Sequence, residues 1–355
     1  MRVVRMMNSQ TAQFIRTCIF SLLTLSASDF AIAEVKKVEA QKPKSYFAHS
    51  SYSAFANDMM QKHGFTEEHL SKTFGDAYRQ QSIIDAMTRP AEKTKTWAEY
   101  RPIFVTPDQI KKGINFCKQH EATLQKAEKE FGVPAEIMIS IIGVETRFGT
   151  FKGKYRVIDA ISTLAFDYPP RSDFFFKQLE EYLLLARELK VETSSILGSY
   201  AGAIGYPQFI PSSYRNFAVD FDGNKHIDLV NSPIDAIGSV GNYFKEHGWQ
   251  AGAPTVDRIA VDSKLREKVN TASNKGLELT LSQKDLTELG IIYNAKAEKF
   301  ALFLFEGTKG PEYWLGYPNF YTITRYNHSQ LYAMAVYQLA QNISEKIKQE
   351  KSCAI

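Results

Sequence analysis

Apolar positions recur at helical spacing along most of the chain, most densely over residues 137–149. Ile137, Ile141, Val144 and Phe148 form one stripe, and Met138, Ile141, Ile142 and Glu145 a neighbouring, largely apolar face. Pro134 suits a first helical position and Gly149 the residue past the end, so a helix is predicted between them. The same spacing predicts helices within 47–91, with Thr66 as a cap, and from Thr106-Pro107-Asp108 through Ile110, Ile114 and Cys117. Further helices are predicted over 122–131, over 174–188 behind Ser172 and Asp173, and over 329–346 with Met334, Val336, Leu339 and Ile343 inward. Residues 97–106 are aromatic and read as extended, and 151–170 reads as a linking stretch.

Beyond 254 the pattern changes. Residues 258–261, 277–279 and 300–305 read as strands, with a short helix capped by Ser282 and Asp285 between them. The expected fold class is therefore α+β and mostly helical, with a small α/β insert over 254–320. At the other end, Arg2, Arg5 and Arg16 precede an apolar run, and Ala31-Ile32-Ala33 offers a small-residue cleavage site. That is the pattern of a signal peptide over 1–33, cut before Glu34. Cys18 follows Arg16-Thr17, which is not a lipoprotein context, so export without a lipid anchor is expected. The charged stretch 34–46 reads as a linker.

Composition adds little. A net charge of +4 is too mild for a nucleic-acid partner. The 24 Phe and 18 Tyr suit carbohydrate stacking and core packing alike. Of the three cysteines, Cys117 reads as a buried free thiol, and no disulfide framework is implied.

Glu145 is the first candidate for chemistry. A carboxylate beside large aliphatics is desolvated, which favours the protonated form that can donate to a leaving oxygen. The alternative at this level is a structural glutamate paired with Arg147 or another cation.

Five segments then occur in order: IIGVETRFG, AFDYPPRSDFF, AGAIGYPQFIPSSY, DAIGSVGNYFKEHGW and NFYTITRYNHS. Together they resemble the lytic murein transglycosylase B family over residues 47–341. The resemblance implies a lysozyme-like catalytic core over 111–253. It also implies a helical domain over 47–110 joined by the helix 329–347, and a return to these parts over 321–355. It implies peptidoglycan glycan strands as substrate, a periplasmic location, no catalytic cofactor and a monomer that meets cell-wall synthesis or remodelling proteins. Glu145 matches the family's acid and base, which closes a 1,6-anhydro ring on N-acetylmuramate without consuming water. The other readings are a hydrolytic muramidase and a non-catalytic peptidoglycan-binding scaffold. A two-carboxylate mechanism needs a second acid, and Asp159, Asp167 and Asp173 are nearby in sequence without Glu145's apolar setting. Ser199 and Gln208 match polar groups near the reacting sugar. Tyr100, Tyr243, Tyr326, Asn327 and Tyr332 match groove residues, and Arg171 a basic residue for muramyl carboxylates. Two departures stand out: Pro170-Arg171 replaces an Arg pair, and Pro207 stands where Gly is usual.

Residues 220–235 resemble an EF-hand calcium loop. Asp220, Asp222, Asn224, the His226 carbonyl and Asp228 fall at ligand positions, and the later acid Asp235 matches the family's closing ligand. Lys225 occupies the glycine position, and Asn231 stands where a bidentate Glu is usual. A structural Ca²⁺ and an Asp/Asn-rich turn are both compatible with this stretch.

Overall fold

A computed structural model describes residues 45–88, 95–293 and 297–355. The expected signal peptide, and the linker up to residue 44, lie outside these. The linker ends earlier than 46: Tyr46 is buried in a 3₁₀ turn, Tyr46–Ala48, and its hydroxyl donates to Asp167 at 2.6 Å.

Three short helices follow, α1 (Tyr52–His63), α2 (Glu67–Gly75) and α3 (Gln81–Thr88). Thr66 caps α2 by accepting from His69 N–H, as its sequence position predicts. Next comes α4 (Trp97–Phe104), a helix where an extended segment was expected. Its Thr96 and Glu99 close a capping box, and Pro102 lies inside it. Helix α5 (Pro107–Phe131) is capped by Thr106 and kinks at His120, where φ is −125°.

Helix α6 (Ala135–Thr146) carries Glu145. It begins one residue after Pro134 and ends three residues before Gly149, so Phe148 lies past its end. Every residue from Ile137 to Thr146 except Glu145 is buried. Helix α5 and two later helices, α10 (Pro233–Glu246) and α14 (Gln330–Glu350), enclose it.

The stretch expected as a linker between 151 and 170 holds β1 (Tyr155–Arg156) and α7 (Val157–Asp167). Helix α7 buries nine consecutive residues from Val157 to Ala165, so no polar face marks its period. After α8 (Ser172–Leu189), β2 (Leu197–Gly198) pairs antiparallel with β1. Helices α9 (Pro211–Phe217) and α10 (Pro233–Glu246) complete this part. Ser232 caps α10; its side chain accepts from Asp235 N–H.

The insert contains β3 (Val256–Ile259), α11 (Arg266–Ala272), β4 (Leu281–Ser282), α12 (Gln283–Glu288), β5 (Lys299–Gly307) and β6 (Gly310–Gly316). Its antiparallel sheet has the order β3-β6-β5-β4. No strand forms at 277–279, and β6 was not foreseen. Alternation along β5 divides its side chains between two cores. Phe300 and Leu302 join Val269, Leu286, Leu315 and Tyr317 in a small cluster, while Phe303 and Phe305 join the main core. The insert leaves the fold where it enters: Tyr317 N–H donates to the Thr255 carbonyl at 3.1 Å.

Helices α13 (Pro318–Tyr326) and α14 (Gln330–Glu350) end the chain, α14 capped by Ser329. Cys117 is not a free thiol. It forms a disulfide with Cys353, with Cα atoms 6.2 Å apart, and so ties the tail after α14 to α5. A pairing over 236 positions leaves no local trace in a sequence.

Candidate active site

Glu145 is the half-buried end of an otherwise buried helix turn. Just beyond it, Arg147, Phe148 and Gly149 take positive φ values of 49°, 59° and 82°. Two of these are non-glycine residues, whose left-handed backbone is costly and needs outside support. Thr146 supplies part of it. Its hydroxyl lies 3.1 Å from the carbonyls of Ile142 and Tyr206 and accepts from Gly149 N–H at 3.0 Å. Gly149 is required here, because a Cβ on it would lie 2.1 Å from the Tyr206 ring. The turn after Glu145 is thereby locked to the glycine-rich loop.

Tyr332, in the first turn of α14, donates its hydroxyl proton to Glu145 Oε1 at 2.6 Å. It is 2 % exposed. Burial first, and then the negative charge of Glu145, hold its phenol well above the ordinary range. It remains a proton donor at any working pH. Tyr326 lies beside it, with stacked rings 6.4 Å apart, and is raised by the same two causes. The Tyr326 hydroxyl donates to the Pro207 carbonyl at 2.5 Å, so the residue that replaces the usual Gly contributes a backbone acceptor. Tyr243 packs edge-on to Tyr326 at 4.8 Å, donates to the Arg325 carbonyl at 2.6 Å, and is pushed up to about 12 by burial. Tyr100, buried in α4, is close enough to Tyr332 to raise its phenol further. The four tyrosines expected in the groove thus join Glu145 in one chain of contacts, and Asn327 follows at the end of α13.

The remaining positions are turned elsewhere. Ser199 Oγ accepts from the N–H groups of Ala201 and Ala203, which folds its own loop. Gln208, at φ 51°, donates its amide to the carbonyls of Lys152 and Gly205. Both shape the loop that Tyr326 touches. Arg171 lies with its guanidinium 4.3 Å from the Phe174 ring centre. Two of the candidate second acids are taken up in ion pairs. Asp159 binds Arg156, and Asp167 accepts from Tyr46 and lies 3.5 Å from Arg79. Sequence reasoning missed Gln109, a buried side chain whose amide donates to the Gly143 carbonyl inside α6 at 3.2 Å. A lone polar residue on the apolar face of α5 is its only signal.

Carboxylate oxygens of Asp220, Asp222 and Asp235 lie within 4.8 Å of one another. Desolvation opposes charge at Asp220, but the N–H groups of Lys225, Gly223 and Asn224 together outweigh it and hold the carboxyl below its ordinary value. Asp235 accepts from Phe221 and Asp228 N–H, and Asn224 Oδ1 from His226 N–H. Asp228 instead caps the next turn through Val230 and Asn231 N–H. An all-oxygen set of this kind suits a hard cation such as Ca²⁺. Lys225 adopts φ 70°, the left-handed conformation that glycine supplies in such loops.

Residues 48–341 match the family model described as Transglycosylase SLT domain. Membrane-bound lytic murein transglycosylase B of Escherichia coli is 41 % identical over 302 residues, spanning 82 % of this chain and 81 % of that protein. The crystal structure of soluble lytic transglycosylase SltB1 from Pseudomonas aeruginosa superposes with a TM-score of 0.80 at 52 % identity, covering 83 % of this chain and 99 % of that one. The E. coli lytic transglycosylase Slt35, solved in complex with calcium, gives 0.78 at 38 % identity over 87 % of this chain and 98 % of that one.

Proposed function

The chain belongs to the SLT-domain transglycosylase family, and we propose that it cuts peptidoglycan as a lytic murein transglycosylase with Glu145 as its single catalytic acid and base. The observation that carries this reading is the Glu145 carboxylate, half-buried beside apolar α6 and held by the Tyr332 hydroxyl at 2.6 Å. In the first step Glu145 gives its proton to the oxygen linking N-acetylmuramate C1 to N-acetylglucosamine, and the C1–O bond breaks. The muramate N-acetyl group stabilises the cationic C1. Glu145, now a carboxylate, takes the proton of the muramate 6-hydroxyl, whose oxygen bonds to C1 and closes the anhydro ring. The enzyme returns to its starting state and no water is used. The engagement of Asp159 and Asp167 with cations supports one acid over two.

The tyrosines and Asn327 line the sugar groove, while Ser199 and Gln208 set the loop beneath it. Asp220, Asp222, Asn224 and Asp235, with the His226 carbonyl, would hold a structural Ca²⁺ that ties the acidic loop after α9 to α10. The Cys117–Cys353 disulfide suits an oxidising compartment and supports a periplasmic location. Among the described residues, no helix is long and apolar enough to cross a membrane.

Glu145→Gln tests the assignment. It should fold with an unchanged unfolding midpoint and lose cleavage by about 100-fold or more, the usual share of general acid–base catalysis. Substantial retained turnover would sink the reading. Mass spectrometry of the products separates the muramidase alternative, since anhydro ends are one water lighter than reducing ends.

A further inference from the structure

Helix α5 grips the turn after Glu145 from the side opposite the glycine-rich loop's own lock on Thr146. Gln109, Gly113 and Phe116 fall four and three positions apart, so they share one face of α5. All three meet the end of α6 or the residue just past it. Gln109 donates to the Gly143 carbonyl at 3.2 Å. A Cβ at Gly113 would lie 3.3 Å from the tip of the Phe148 ring, and one at Gly143 only 2.7 Å from it. The Phe116 ring centre is 5.6 Å from that of Phe148. Phe148 thus sits in a slot left by two glycines on two helices. Its φ is 59° and that of Arg147 is 49°, conformations that persist only where the surroundings enforce them.

The Gly143 carbonyl already accepts from Arg147 N–H at 3.0 Å, the bond that closes the last turn of α6. Gln109 adds a second donor from another helix. It is 3 % exposed, and its Oε1 has no hydrogen-bond partner. A buried amide satisfied on one side only is costly. An apolar side chain of the same length would fill the space without that cost, and the Gly143 carbonyl would keep Arg147. The amide is therefore a poor choice for stability alone, and what it holds is the turn that carries Glu145.

We propose that Gln109 is a positioning residue for Glu145, fixing from α5 the backbone whose carboxylate Tyr332 fixes from α14. On the proposed reaction, Glu145 is acid to the glycosidic oxygen and then base to the muramate 6-hydroxyl. One placement of the carboxylate has to serve both oxygens. A misplacement of about 1 Å costs on the order of a hundredfold in rate. Anchoring the backbone on one side and the carboxylate on the other limits such drift. This inference rests on the reading of the chain as a murein transglycosylase, and its test keeps the two apart.

The experiment compares Gln109→Met with wild-type protein, both as the full chain, by unfolding midpoint and by steady-state release of anhydro ends from soluble strands. Methionine fills the space and removes both the donor and the unpartnered oxygen. The midpoint should hold or rise, while kcat falls about tenfold at unchanged KM, one hydrogen bond's worth expressed in the reaction step. An unchanged kcat, or a raised KM at constant kcat, would overturn the inference whatever the midpoint does. Should Gln109→Met fold poorly, Gln109→Asn keeps the amide but shortens its reach, and the same loss in kcat is expected. Phe148→Leu loosens the slot without touching Gln109. If both act through one turn, the double variant should lose no more in kcat than the worse single variant. Losses that multiply would overturn the inference. Absence of anhydro ends with wild-type protein would instead overturn the enzymatic reading beneath it.

Discussion

Tyr332 donates its hydroxyl to Glu145 Oε1 at 2.6 Å, across 187 positions of sequence. Sequence reasoning placed Tyr332 among residues that touch sugar. The geometry gives it a second task, since a buried phenol that keeps its proton fixes the orientation of the carboxylate it serves. Tyr332→Phe keeps the ring and removes the donor. We expect kcat to fall about tenfold to a hundredfold, the worth of one hydrogen bond to a charged group, with KM little changed. Steady-state kinetics on soluble strands decides it; a raised KM at constant kcat would return Tyr332 to a sugar-binding role.

The Cys117–Cys353 disulfide closes a loop of 236 positions around nearly the whole catalytic part of the chain. Cross-links of this kind typically contribute about 2–4 kcal/mol. Reduction should lower stability by that amount in urea unfolding, and Cys353→Ser should match the reduced wild-type protein. Because Glu145 and Tyr332 are held by their own hydrogen bond and by the packing of α14 on α6, activity at low temperature should survive reduction.

Lys225 places a positive charge and a left-handed non-glycine backbone inside the acidic loop. Lys225→Gly removes both obstacles. Ca²⁺ should then raise the unfolding midpoint at lower concentration than in wild-type protein, following the logarithmic dependence of stability on ligand over Kd. Asp220→Asn should abolish the response. Calorimetric titration with Ca²⁺ alone provides a second readout.

His247 stacks on Tyr243 with ring centres 3.9 Å apart, and burial pushes its imidazole below the ordinary value. His120 is lowered by burial as well. Above about pH 6.5 both are neutral in folded and unfolded chains and contribute no pH dependence. As pH falls through that value, the unfolded chain binds protons first, so stability drops. The loss levels off below the folded-state values. Unfolding midpoints measured from pH 7.5 to 5 should fall, and His247→Gln should flatten the slope.

How much could be read beforehand follows from how local each signal is. The α6 helix, the Thr66 cap and the Ser282–Asp285 capping box depend on residues a few positions apart, and all three form as expected. Helix α4 was missed because Pro102 and its aromatic neighbours read as strand, whereas Thr96 and Glu99 cap it and Trp97 packs on Phe305 of the insert. Helix α7 was missed for the opposite reason, being buried on all sides. At the site, Glu145 and its tyrosines were legible through motifs. The direction each side chain faces was not: Ser199 and Gln208 spend their polar groups on the loop backbone, and Arg171 rests on Phe174.

The insert enters and leaves the fold at one joint, where Tyr317 N–H donates to the Thr255 carbonyl, and it is anchored to the main core through Phe303 and Phe305. Glu145 comes before that joint and Tyr332 after it, and the two meet through the direct packing of α14 on α6. The parts of the insert that face away from Phe303 and Phe305 can therefore change in length without moving the acid from its partner.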